Sequence, residues 1–150
     1  MTLFFLYDKM YLVMSMKNRS ELREISMQAI YQIYIYKSSN IEYELNKVIK
    51  ELLEVENPFV NELTSGVISK QDEISEIANH YLVNWDIDRL SKVDKAIISS
   101  AIYELKYMDT PPLVVINEAI ELSKKYSDEK VTKMINAALD KYYHEEIDGR

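Results

Sequence analysis

The chain has 150 residues and a mass of 17.7 kDa, most simply one domain with room for a sizeable core. It has no Cys, so disulfides, thiolate chemistry and Cys-based metal sites are excluded, and its 2 His, His80 and His144, lie too far apart in sequence to suggest a metal cluster. Only 2 Gly and 3 Pro argue against a turn-rich β fold, and a net charge of −7 argues against gripping nucleic acid by bulk charge, although screening leaves room for a local basic patch.

Residues 1–15, MTLFFLYDKMYLVMS, are apolar and aromatic but fall short of the roughly 20 residues that a spanning helix needs. Asp8 and Lys9 interrupt the run, and neither a basic leader nor a small-residue cleavage site accompanies it, so no signal peptide is expected. The natural start is expected at Met16, with 1–15 an upstream extension that is poorly ordered or opportunistically packed.

From Met16 onward the apolar spacing predicts helices. Leu22, Ile25, Ala29 and Ile33, with Ile30 and Tyr34 beside them, form the first stripe, and Asn18 or Ser20 can cap it. Tyr31, Tyr34 and Tyr36 read as core or boundary residues. Lys17, Arg19 and Arg23 against Glu21 give a local charge of +2 at residues 16–23, read either as a solvated helix end or as a basic arm for phosphates. A second helix is predicted from Ile41 to about Val55, with Leu45, Val48, Ile49, Leu52 and Leu53 facing in. Its outer face carries Glu42, Glu44, Glu51, Glu54 and Glu56, which turns it away from nucleic acid. Asn57-Pro58 restarts a helix as N-cap and first-turn proline, and that helix keeps Phe59, Leu63, Val67, Ile74, Ile77 and Tyr81 in register. Gly66 inside it costs about 1 kcal/mol relative to Ala, which predicts close approach of another helix. The pattern breaks from Asn84 to Asp88, the expected boundary between an N-terminal helical subdomain, 16–84, and a C-terminal one, 85–150.

In Arg89–Met108, Leu90, Val93, Ile97, Ala101 and Leu105 make a stripe, with Ala96, Ala101 and the serines small enough for close crossing. Asp94 beside Lys95 is ordinarily a solvated pair. Asp109 to Pro112 stops that helix. Val115–Tyr126 is the best-specified amphipathic segment, acids first and bases last as the helix dipole prefers. Ser127 can cap a last helix carrying Val131, Met134, Ile135, Ala138, Leu139 and Tyr142, and the closing EEIDGR is expected to fray. The sequence holds no phosphate-cradling Gly loop, nucleophile elbow or His-Glu-x-x-His, and paired acids such as Glu145 and Glu146 sit on polar stretches that make poor acid–base catalysts. No enzyme activity, cofactor or metal is expected.

Several stretches together resemble one family. They are Gln28-Ala29-Ile30-Tyr31, Phe59-x-x-x-Leu63-x-x-Gly66-Val67, Trp85-x-x-x-Arg89-Leu90-x-x-Val93-Asp94-Lys95-Ala96-Ile97 and Ala101-x-Tyr103-Glu104-Leu105. Pro112-x-x-Val115-Ile116-Asn117-Glu118-Ala119-x-Glu121-Leu122-x-Lys124 and Lys133-x-x-Asn136-x-x-Leu139-Asp140 complete the set. In order and spacing, from about Met16 to Tyr143, the chain is similar to the transcription antitermination factor NusB family. The resemblance implies an all-α fold of two packed helical subdomains with about six to seven helices. It implies a cytoplasmic, non-enzymatic protein that binds boxA-type RNA together with a NusE-type small-subunit ribosomal protein. That assembly acts on the RNA polymerase elongation complex with other Nus factors and promotes read-through, notably in ribosomal RNA operons, with no membrane involved.

The resemblance also assigns residues. Arg19 and Arg23 match two positions of the family's arginine-rich N-terminal motif, where Ser20 and Glu21 stand in place of further arginines, and Lys17 beside them is a further expected RNA-binding residue. Tyr31, Asp94, Lys95, Lys130, Lys133 and Met134 match other positions around the family's RNA surface, Met134 replacing an aromatic residue and Ala137, nearby, a glycine. In this reading the arginines and lysines neutralise phosphates, Tyr31 stacks on an unpaired base and Asp94 reads base edges. Arg23→Ala is then expected to weaken RNA binding without unfolding the protein. The alternative is a helical protein-interaction module, a homodimer or a partner-binding domain, with weak or lost RNA binding. A methyltransferase, which carries this module in fused form, needs glycine motifs and length that the chain lacks.

Overall fold

The computed structural model describes residues 17–148 together with Leu3, Leu6 and Met10. Those three are helical and exposed. The rest of 1–15, and the expectation of an upstream extension there, lies outside the described residues. Among the described residues the chain is all-α. The helices are α1 (Arg19–Ser38), α2 (Leu45–Leu52), α3 (Pro58–Ser69), α4 (Gln71–Tyr81), α5 (Lys92–Tyr107), α6 (Pro112–Tyr126) and α7 (Glu129–Tyr142). A 3-10 turn, Ile87–Arg89, leads into α5, and a π-helical turn, Tyr143–Ile147, follows α7.

The order of the fold comes from α5, which is buried at Asp94 and throughout Ala96–Leu105 and packs on α1, α3, α4, α6 and α7. Its small residues, Ala96, Ser99, Ser100 and Ala101, let those neighbours approach, and Ser100 returns its hydroxyl to the Ala96 carbonyl (2.7 Å) instead of stranding it. Helix α1 is the second organiser, with Met27, Ala29, Ile30 and Ile33 at most 1% exposed against α3 and α5. It begins on a full capping box: Asn18 Oδ1 accepts the Glu21 N–H (2.8 Å) and the Glu21 carboxylate accepts the Asn18 N–H (3.4 Å). Asn57 caps α3 by accepting from Phe59 and Val60, as its Asn-Pro spelling predicts. Gly66 is where α3 meets α5, since a Cβ there would overlap the Tyr103 ring.

Four boundaries differ from the sequence expectation. Helix α2 spans 8 residues, not the fifteen-odd of Ile41–Val55, because Glu44 offers no side-chain cap and Leu53 is already extended. The helix expected to run unbroken through Gly66 to Tyr81 splits at Lys70 (φ −112°, ψ 21°), which lets α4 swing its Ile74, Ala78 and Tyr81 against α5 and α7. Asp128, not Ser127, caps α7, accepting the Val131 N–H at 2.8 Å. The terminal acidic stretch does not fray at once: it winds to Ile147, with Tyr81 Oη donating to Glu146 (3.2 Å).

Candidate nucleic-acid interface

Arg19 and Arg23 stand one turn apart at the start of α1, yet they have different fates. Arg23 is 6% exposed. Its Nε lies 3.1 and 3.0 Å from the two Glu104 oxygens and its terminal nitrogen 2.6 Å from one of them, a forked pair that leaves little of the guanidinium unspent. Thr110 Oγ1 donates to the same carboxylate (2.8 Å), and Glu118, held by the Ser20 hydroxyl (2.9 Å), stands 4.0 Å from the remaining Arg23 nitrogen. The phosphate role expected for Arg23 therefore does not fit: the residue is the buried tie between α1, α5 and the loop into α6.

Arg19 is exposed and lays its guanidinium over the Phe59 ring, 4.1 Å from the centroid. It is the presented arginine of the motif. Lys17 flanks it, 3.9 Å from Glu21 in an exposed pair that costs little to exchange for another anion. Beside Arg19 opens a cleft of about 1030 Å³, onto which the N-terminal ends of α1, α3 and α6 converge through Asn18, Asn57 and Pro111. Helix N-termini present partial positive charge. The side chains counter it: Arg19 and Arg23 in the wall are matched by Glu62, Asp109 and Glu118. The cleft is an electrically mixed surface with one accessible cationic edge, not a basic pocket.

Helices α1 and α6 both rest on α5 and are bridged by side chains beyond the cleft. Lys125 Nζ donates to Glu24 (2.6 Å), the Tyr126 hydroxyl donates to the same carboxylate, and Gln28 donates to Tyr126 Oη (3.2 Å). The Lys125 and Tyr126 hydrogen bonds hold the Glu24 carboxyl below its usual range, and the same bond to Glu24 pushes the Tyr126 hydroxyl up. Tyr31 is three residues past Gln28 on α1, so exposed tyrosines 31 and 126 share this flank, at 36% and 39% exposure. Both are usable as stacking faces for unpaired bases.

The remaining expected residues divide. Lys130 and Lys133 are exposed on the first turns of α7, and Lys133 lines a groove of about 440 Å³ with Lys124. Lys133 lies 3.3 Å from Glu129 in a fully solvated pair. Lys95 is spent more fully, 2.9 Å from Asp88 and 4.8 Å over the Tyr34 ring. Asp94 is 6% exposed; one oxygen accepts the Ser91 hydroxyl (2.8 Å) while Oδ1 has no hydrogen-bond partner among the described residues. It has acceptor capacity for a base edge, but from a buried position. Met134 is half-buried and packs on the core, so it offers no stacking face. Sequence reasoning missed Phe59 as a platform and Glu24, Gln28 and Tyr126 as a bridge. The first reads as a core aromatic, and the second joins residues about a hundred positions apart.

Among the described residues no helix is long and apolar enough to cross a membrane. The family model for the NusB family matches residues 20–144. A transcription antitermination protein NusB from Bacillus subtilis (strain 168) is 40% identical over 127 residues, 83% of this chain and 92% of the relative. A NusB structure from T. maritima has the same fold, with a TM-score of 0.74 at 29% identity over 86% of this chain and 92% of that one. The fold also recurs, with a TM-score of 0.70 at 23% identity over 84% of this chain and 96% of that one, in a complex of antitermination factors NusB and NusE with double-stranded RNA.

Proposed function

The chain belongs to the NusB family, and from that premise we propose that it is a transcription antitermination factor working in the cytoplasm as an RNA-binding regulator and not as an enzyme. It binds boxA-type RNA jointly with a NusE-type small-subunit ribosomal protein and, with other Nus factors, keeps RNA polymerase reading through terminators, notably in ribosomal RNA operons. Its two halves, 16–84 and 85–150, act as one binding body. The observation that carries this reading is the exposed Arg19 on Phe59 at the start of α1, within a chain matched by the family from residue 20 to 144.

Physically, Arg19 and Lys17 engage phosphates at one end of α1, Tyr31 and Tyr126 offer stacking faces along its flank, and Lys130 and Lys133 extend the cationic path on α7. So few free cations give modest affinity for the protein alone, falling with salt, and a partner that adds surface raises it. Fluorescence anisotropy of a labelled boxA-type RNA against a scrambled control, with and without the NusE-type partner at two salt concentrations, tests this. Binding that prefers the boxA sequence and tightens with partner is expected. Arg19→Ala should weaken it and lower the salt slope by about 1 while leaving the thermal midpoint in place. Equal binding of both RNAs, or none even with partner, would move the assignment to the protein-interaction alternative.

A further inference from the structure

At the opposite end of α1 the surface has different chemistry. The helix closes on Asn40 in the left-handed conformation (φ 55°), and the Ile41 N–H returns to the Tyr36 carbonyl (2.9 Å). This turn sets Ile41 beside Tyr36, leaves it 51% exposed, and sends the chain back along α1. Tyr43 then stacks on Tyr36, with ring centroids 6.2 Å apart and planes within 20°. Gln32 donates to Tyr36 Oη (2.8 Å) and fixes that ring. The result is a preformed groove of about 420 Å³ floored by Val48.

Its walls are aromatic and aliphatic, and its rim is acidic. Glu42, Glu44 and Glu51 surround it against the single Lys47, which stands 3.5 Å from Glu44 in a pair open to solvent. Glu42 and Glu51 have no ion-pair partner among the described residues. The surroundings reinforce the sign: residues 42–62 carry six glutamates against two lysines, so net −4 of the chain's −7 falls in this stretch. Such a surface repels a phosphate backbone. It complements a cationic chain: an ammonium or guanidinium is drawn to the face of a tyrosine, its aliphatic stem covers Ile41, and the glutamates pair with the head groups.

We propose that this groove docks a lysine- and arginine-rich segment of a protein partner, a contact separate from the RNA edge. The separation is built in. Helix α1 has 20 residues and spans about 30 Å, so phosphates at Arg19 and a basic peptide at Tyr36 and Tyr43 sit at opposite ends of one rigid element, while Tyr31, five residues before Tyr36, is turned about 140° away from it around the helix.

The test uses the full chain and a nonapeptide of three Lys-Arg-Leu repeats, with a control peptide in which Gln replaces every Lys and Arg. In ¹⁵N–¹H NMR titrations the basic peptide should shift amides between residues 36 and 51, and the control should not. Glu42→Lys with Glu51→Lys should weaken the peptide about tenfold or more and flatten its salt dependence, with boxA-type RNA binding unchanged. Tyr43→Ala should weaken it several-fold; if that variant loses helix by circular dichroism, the double glutamate variant alone decides. Equal shifts at the acidic start of α4 (Asp72, Glu73, Glu76), retained affinity in the double variant, or displacement of the peptide by RNA would each overturn the proposal. Loss of RNA binding by Arg19→Ala leaves it standing, so the two readings fail separately.

Discussion

The two ends of α1 both gather glutamates, and the same residue type does opposite work at each. At the N-terminal end Glu104 and Glu118 are turned inward, one 2% exposed and forked onto Arg23, the other held by Ser20. At the C-terminal end Glu42, Glu44 and Glu51 stand in water around two stacked tyrosines. The difference lies in what the helix packs against. Its first turns press on α5 and the loop into α6, where a buried arginine needs an anion; beyond its last turn the chain leads through Glu42 and Glu44 into the short α2, with those carboxylates in solvent. Acidic side chains are therefore structural ties at one end and a presented surface at the other. Net charge by itself could not have distinguished them.

Glu104→Ala breaks this comparison most severely. It leaves the Arg23 guanidinium buried without its counter-charge and strips Thr110 of its acceptor, so a loss of about 3–5 kcal/mol in urea unfolding is expected. Arg23→Ala should lose stability of similar order, which reverses the expectation from sequence that it acts on RNA alone. Glu51→Ala, at the other end, should stay within about 0.5 kcal/mol of the parent. Equal effects from Glu104→Ala and Glu51→Ala would erase the distinction between the ends.

The caps sharpen it at a smaller scale. Asn18→Ala removes the acceptor for the Glu21 N–H and should cost about 1 kcal/mol. Asn40→Ala puts at φ 55° a residue that tolerates the left-handed region less well than asparagine and should cost about 1 kcal/mol as well, whereas Asn40→Gly should be close to neutral. Thermal midpoints of the three variants check this. If Asn40→Gly is as costly as Asn40→Ala, the side chain and not the backbone conformation carries the turn.

Legibility followed the range of the interactions. Helix existence was readable because the apolar stripes repeat locally: Leu22, Ile25, Ala29 and Ile33 are buried as their spacing required. The close approach at Gly66 was readable because only a missing side chain tolerates the Tyr103 ring. The break at Lys70 was not, since no Pro or Gly marks it and the decision belongs to α5 and α7. The candidate interface was half legible. Arg19 and Arg23 have the same spelling, and only the carboxylate 81 positions from Arg23 separates a tie from a ligand. Phe59 under Arg19, and Tyr126 on Glu24, are likewise meetings of distant residues that periodicity cannot announce.

The smallest effect concerns the bridge between α1 and α6. Glu24 accepts from Lys125 and Tyr126, and those bonds lower its pKa from the ordinary 4.5. A carboxylate depressed on folding contributes stability above the unfolded value, and that contribution is lost as pH falls through the folded one, because the unfolded chain takes up the proton first. Glu24→Gln should therefore lower the thermal midpoint only slightly near neutrality, by the equivalent of about 0.5 kcal/mol for a largely solvated cluster. The gap between variant and parent should close progressively as the pH drops below 4.5. The Tyr126 hydroxyl, raised by the same bond, gives the mirror image: its share is present below the ordinary value of 10.0 and fades as the pH climbs beyond it. A gap that stays constant from neutral to acidic pH would mean that the bridge acts through packing of the Tyr126 ring alone. The flank that carries Tyr31 and Tyr126 would then be held without charge.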